Sequence, residues 1–111
     1  MLSVIIPTIQ KKLKVLEELV KLLECDNSVS EIILINNKGN TPLNIKGKKV
    51  KIYTPPDNLY VNESWNQGVK MAKENNVAIL NDDLLVPDNF CNKIVIHSLL
   101  TIWTKKFIIL M

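Results

Sequence analysis

Val77-Ala78-Ile79-Leu80-Asn81-Asp82-Asp83 is the stretch on which the reading of this chain turns. Four apolar residues in a row suit a strand covered on both faces, as the strands of parallel sheets are. The run then stops on an amide and two adjacent carboxylates. Aspartate is a poor strand former, and like charges side by side repel. Taken alone, the Asp82-Asp83 pair reads as the start of a surface loop. At the end of a buried strand it reads as a place where a divalent cation relieves the repulsion. Oxygen ligands suit Mg²⁺ or Mn²⁺, which keep several waters and accept diphosphate oxygens as further ligands.

Working outward, Leu2 to Ile6 is a second apolar run, ended by Pro7-Thr8, and Glu31 to Ile35 a third, ended by Asn36-Asn37. Val50 to Tyr53 is a shorter strand stopped by Pro55-Pro56. Helical spacing fills the gaps between them. Lys11 to Glu24 places Leu13, Leu16, Val20 and Leu23 on one face, with Glu17 and Lys21 as an i,i+4 pair. Asn62 can cap a helix running to about Glu74, with Trp65, Val69 and Ala72 as its apolar face and Gly68 allowing close approach to the sheet. Asn75-Asn76 can supply a left-handed residue after it. Pro87 and Asp88 open a third helix through about Ser98, and Ile102 to Leu110 is either a strand or a packing tail. Lys38 to Lys49 is a loop by its Gly, Asn, Pro and Lys content.

Strands alternating with helices predict a three-layer α/β domain with a mostly parallel sheet. Ligands of such sheets bind beyond the carboxyl ends of the strands. That rule collects Pro7-Thr8, Asn36-Asn37 and Asn81-Asp82-Asp83 on one rim.

Composition narrows the function classes. The 111 residues fit one domain, and with 47% hydrophobic and 23% charged residues the chain can build a core. The net charge of +3 is carried by scattered lysines without a single arginine, which argues against a nucleic-acid binder. Lys46, Lys48, Lys49 and Lys51 form the densest group and read as a solvated loop and strand edge. Without a guanidinium fork, any bound diphosphate must be held by lysines, backbone N–H groups or a metal. The three glycines leave no room for a dinucleotide or P-loop fingerprint. Cys25 and Cys91 have no metal-binding spacing and read as free, buried thiols of a reducing compartment. No apolar run reaches the ~20 residues of a membrane span, and the start carries no signal peptide, so the expectation is a soluble cytoplasmic protein. His97, Trp65 and Trp103 read as packing residues.

Four segments in order carry a resemblance: Ser3-Val4-Ile5-Ile6-Pro7-Thr8, then Glu31-Ile32-Ile33-Leu34-Ile35-Asn36-Asn37, then Ser64-Trp65-Asn66-Gln67-Gly68 with Ala72, then Ala78-Ile79-Leu80-Asn81-Asp82-Asp83. Over about residues 2 to 92 the chain resembles family 2 glycosyltransferases of the GT-A, nucleotide-diphospho-sugar transferase fold. The resemblance implies an inverting, metal-dependent transferase using Mn²⁺ or Mg²⁺ and a UDP- or GDP-sugar donor. Pro7 and Thr8 would line the nucleotide pocket, and Asn36 or Asn37 would contact the base where the family more often has Asp. Asp83 corresponds to the metal-binding acid of the DxD motif. The first acid of that motif falls on Asn81, with Asp82 able to take its sugar-contacting role. Asn58 and Asn66 would help position the donor, against plain roles as a loop turn and a helix polar face.

The family's reaction also needs a carboxylate base near the acceptor. No Asp or Glu follows Asp88, itself a helix cap, so no catalytic base is assigned. The resemblance thus implies a single domain, residues 1–111, that holds the donor-binding half of the fold with the acceptor half missing. The alternative is a truncated, catalytically inactive nucleotide-sugar-binding module. The acceptor, glycan or protein, is unassigned. The bare edge beside the fourth strand is expected to be covered by the apolar tail or by a second copy in a homo-oligomer.

Overall fold

Both faces of the central strand are apolar, and a helix covers each. The computed structural model describes residues 1–83 and 106–110. Its elements are β1 (Leu2–Thr8), α1 (Leu13–Glu24), β2 (Val29–Asn36), β3 (Val50–Tyr53), α2 (Tyr60–Met71), β4 (Asn76–Leu80) and β5 (Lys106–Leu110). The five strands form one sheet in the order β3-β2-β1-β4-β5, and every neighbouring pair is parallel. This is the expected α/β architecture. The third helix expected from Pro87 to Ser98, with Cys91, His97 and Trp103, lies outside the described residues. Of the 102–110 segment, Lys106–Leu110 pairs along β4 from Asn76↔Lys106 to Leu80↔Leu110, so a strand covers that edge.

Alternation along β1 splits the core into two layers. Leu2, Val4 and Ile6 pack with Ile32, Leu34, Ala78 and Leu80 on the α1 side. Helix α1 presents Leu16, Leu19, Val20 and Leu23 to them, an i, i+3, i+4, i+7 stripe. Leu13 was expected on that face, but it opens the helix and stays 39% exposed, while Leu19 is buried. The expected Glu17–Lys21 pair is replaced by Lys21–Glu18 at 3.9 Å, between side chains exposed enough that the contact is worth little. Leu43 and Ile45 of the 38–49 loop also enter this layer.

On the other face, Ile5, Ile33, Ile35, Val77 and Ile79 meet Leu59, Trp65, Val69, Met71 and Ala72. Gly68 makes that contact possible, because a Cβ there would lie 2.4 Å from Ile5 Cγ2. The ends of α2 differ from the expectation. The helix begins at Tyr60, with Leu59 rather than Asn62 at the N-cap, and stops at Met71 rather than Glu74. At the start, Leu59 N–H donates to Asn37 Oδ1 at 3.2 Å and Tyr60 N–H to Asn58 Oδ1 at 2.7 Å, so upstream amides satisfy the first donors. At the end, Ala72 is extended, and Lys73 N–H and Glu74 N–H donate to Glu31 Oε2 and Ser3 Oγ at 2.6 and 3.1 Å. The chain leaves the helix to serve these buried acceptors. Asn75-Asn76 provides no left-handed turn, since Asn76 already starts β4 and the positive-φ residues are Gln10 and Tyr60.

Glu31 explains the burial of a charge beneath the sheet. Its carboxylate accepts from Ser3 Oγ, from Lys51 Nζ at 2.7 Å and from Lys73 N–H. Two of the four clustered lysines also have protein partners while staying at the surface, because Lys49 Nζ donates to Asp26 O at 2.8 Å and Lys51 remains exposed. Lys46 and Lys48 remain exposed. Cys25, expected to be buried, is free and exposed at the C-cap of α1.

Burial alone would raise the Glu31 pKa, but the hydrogen bonds from Lys51, Ser3 and the Lys73 backbone, with the charge of Lys51, hold it below the usual carboxylate range. A depressed folded-state pKa means that this stabilisation is present above the unfolded carboxylate pKa and is lost as pH falls through the folded one. Urea midpoints should therefore drop as pH is lowered below about 4.3, and the Glu31→Gln variant, less stable at neutral pH, should show a flatter acid limb. Gly68→Ala should cost roughly 1–3 kcal/mol despite alanine's better helix propensity, because it overpacks Ile5. In denaturation of Ile5→Ala, Gly68→Ala and the double variant, the double should lose less than the sum of the two singles.

Candidate functional site

The carboxyl ends of β1, β2 and β4 meet at a cavity of about 400 Å³. Pro7, Thr8 and Ile9 come from the end of β1, Asn37 from the end of β2, Asn81 and Asp82 from the end of β4, and Asn58 and Tyr60 from the start of α2. The rim inferred from where three apolar runs turn polar is thus a real juxtaposition.

Thr8 joins two of these strand ends. Its buried hydroxyl donates to Asp82 Oδ2 at 2.7 Å and accepts from Gln10 N–H at 2.9 Å. Asp82 is held in the cavity wall by this bond. Asp83 faces elsewhere: Oδ1 accepts from Asn81 Nδ2 at 3.1 Å, Oδ2 lies 3.7 Å from Lys12 Nζ, and the side chain is 42% exposed. The two adjacent acids, in the turn after β4, therefore occupy different surroundings.

The two asparagines after β2 also divide. Asn36 is buried, and its whole amide is committed inside the protein. Oδ1 accepts from Gln10 Nε2 and Lys38 N–H at 3.0 and 3.2 Å, while Nδ2 donates to Thr41 O and Thr54 Oγ1 at 3.0 and 3.4 Å. Asn37 lines the cavity, with Nδ2 donating to Ser64 Oγ at 2.7 Å and Oδ1 accepting from Leu59 N–H. Asn58 also lines it. Asn66 does not. It is exposed on α2, in a separate surface depression with Leu59, Glu63, Gln67 and Lys70.

Sequence reasoning did not single out Ile9, Gln10 or Tyr60. Gln10 adopts φ 61° and thereby carries its amide to Asn36 Oδ1 and to Thr41 O at 2.9 Å. Tyr60, at φ 58°, stands at the cavity mouth. Only the polar turn Asp57-Asn58 marked that place in the sequence.

Among the described residues, no three acidic, histidine or cysteine side chains converge. Two carboxylates at the end of β4 are too few for an all-protein cage. A hard cation held there would need waters and ligand oxygens to complete its shell.

The family model described as glycosyl transferase family 2 matches residues 3–97. The chain belongs to that family. The match spans β1 to β4 and all the residues around the cavity, so family 2 membership and the strand-end geometry coincide on the same part of the molecule. Comparisons with curated proteins and with solved structures give no match. No helix among the described residues is long and apolar enough to cross a membrane.

The Thr8–Asp82 bond has a measurable consequence. Thr8→Val keeps the side chain's shape and removes the bond to a charged, partly buried acceptor. It should cost about 1.5–3 kcal/mol in urea denaturation at pH 7, and only part of that cost should remain in the Asp82→Ala background, where the change still deprives Gln10 N–H of its acceptor.

Proposed function

We propose that this family 2 chain binds a nucleotide-diphosphate sugar, UDP- or GDP-linked, in the cavity at the ends of β1, β2 and β4. The observation that carries the reading is the carboxylate of Asp82 held in the cavity wall by Thr8 Oγ1 at 2.7 Å. Asp83 follows it in the chain but is turned toward Lys12, so its side chain would swing toward Asp82 to receive Mn²⁺ or Mg²⁺ together with the diphosphate. Such an ion supplies charge neutralisation for the leaving nucleotide. Asp83 is the primary metal ligand in this reading and Asp82 the sugar-side acid. Pro7 and Thr8 line the nucleotide cavity on the side of Asp82, and Asn37 and Asn58 shape its nucleoside end. Asn36 acts through its neighbours, since its amide positions the loop rather than the ligand.

Lys12 fits the same chemistry. With no arginine in the chain, a lysine beside Asp83 is the available cation for a phosphate arriving there. Transfer to a hydroxyl also requires a carboxylate base. Asp82 is the acid that lines the cavity among the described residues, and the donor would occupy it. The described residues are therefore assigned donor binding, and the inverting transfer step has no assigned base.

Calorimetry on the 111-residue chain tests this reading. UDP or GDP should bind measurably with Mn²⁺ and far more weakly with a chelator present. Asp83→Asn should lower the metal-dependent affinity at least about tenfold while leaving the thermal transition in place. Equal binding by that variant, or binding indifferent to metal, would refute the assignment.

A further inference from the structure

We infer that Tyr60 is a donor-binding residue whose ring packs against the nucleobase, an inference that rests on the donor-binding reading above. Tyr60 combines two features that are each unfavourable in the free protein. Its backbone is left-handed, at φ 58°, a conformation rare for a bulky residue. The residue is 74% exposed, so little burial offsets the strain. The conformation is imposed by two hydrogen bonds from consecutive N–H groups, Leu59 to Asn37 Oδ1 at 3.2 Å and Tyr60 to Asn58 Oδ1 at 2.7 Å. Both acceptor residues line the cavity, as does Tyr60 itself. The strained backbone therefore places an aromatic surface at the mouth of the cavity.

Position in the sheet says which part of a donor meets that surface. Leu59, beside Tyr60, is bonded to Asn37 after β2, whereas Asp82 follows β4, and β1 lies between those strands. Two strand spacings separate the two ends by roughly 10 Å. A nucleoside diphosphate with its phosphates at Asp82 would extend its base toward Asn37 and Tyr60. Aromatic packing on a base is indifferent to base identity, so Tyr60 contributes affinity for the nucleoside end as a class.

The test compares ligands with and without a base. Dissociation constants for UDP, GDP and inorganic pyrophosphate, each with Mn²⁺, are measured for the wild type, Tyr60→Gly and Tyr60→Phe. Thermal unfolding of each variant is followed in parallel. Tyr60→Gly should unfold at the same or a higher temperature, because glycine accepts φ 58° without strain. It should bind the preferred nucleoside diphosphate roughly 5- to 100-fold more weakly and pyrophosphate unchanged, and Tyr60→Phe should recover most of the loss. Unchanged nucleotide affinity in a folded Tyr60→Gly variant would overturn the role of Tyr60 and leave the donor reading standing. An equal loss for pyrophosphate would also overturn it. Failure of the wild type to bind any nucleotide would overturn the donor reading and this inference with it.

Discussion

Strand β1 is buried on both faces, and its polar side chains lie toward its two ends. Ser3 near the start and Thr8 at the finish are both buried, and each is satisfied by a carboxylate, Glu31 in one case and Asp82 in the other. A buried hydroxyl left without a partner costs free energy comparable to a lost hydrogen bond. The two acids follow from that constraint, and the rest of the structure is arranged around them. Below the sheet, Glu31 gathers Lys51 and the chain leaving α2, which fixes how that helix returns to β4. Above the sheet, Asp82 is turned into the cavity. One acid closes the structure and the other opens onto the cavity.

The upper rim is held by side-chain amides to an unusual degree. Gln10, Asn36, Asn37 and Asn58 bond to one another or to nearby backbone, and three successive loops are joined this way. Amides both donate and accept, so a network of them can be satisfied without net charge. The carboxylates after β4, with Lys12 beside Asp83, then stand next to an uncharged amide rim.

Much of this was legible because it depends on period and on strand termini. The apolar runs, their parallel order, the close approach at Gly68 and the convergence of Thr8, Asn37 and Asp82 all follow from pattern plus the strand-end rule. The limits of α2 were not legible, because they are set by acceptors far away in sequence: Asn37 at one end, Ser3 and Glu31 at the other. The division of labour between Asn36 and Asn37 was hidden for the same reason. Adjacent residues on a strand end face opposite ways, and the partners that bury Asn36 come from Gln10, Thr41 and Thr54. Tyr60 was invisible because positive φ in a non-glycine residue leaves no mark in composition or spacing.

The place of β5 has a consequence during synthesis. Strand β4 pairs with β1 on one side and with Lys106–Leu110 on the other, and the second partner is the last described part of the chain. Chains emerge from the ribosome at about 5–20 residues per second. Strands β1 to β4 can therefore assemble seconds before their final neighbour exists, leaving the backbone N–H and C=O groups of β4 unpaired for that interval. Unpaired edges of this kind are templates for other chains. A nascent molecule is thus open to faulty association along β4 until Lys106–Leu110 pairs with it.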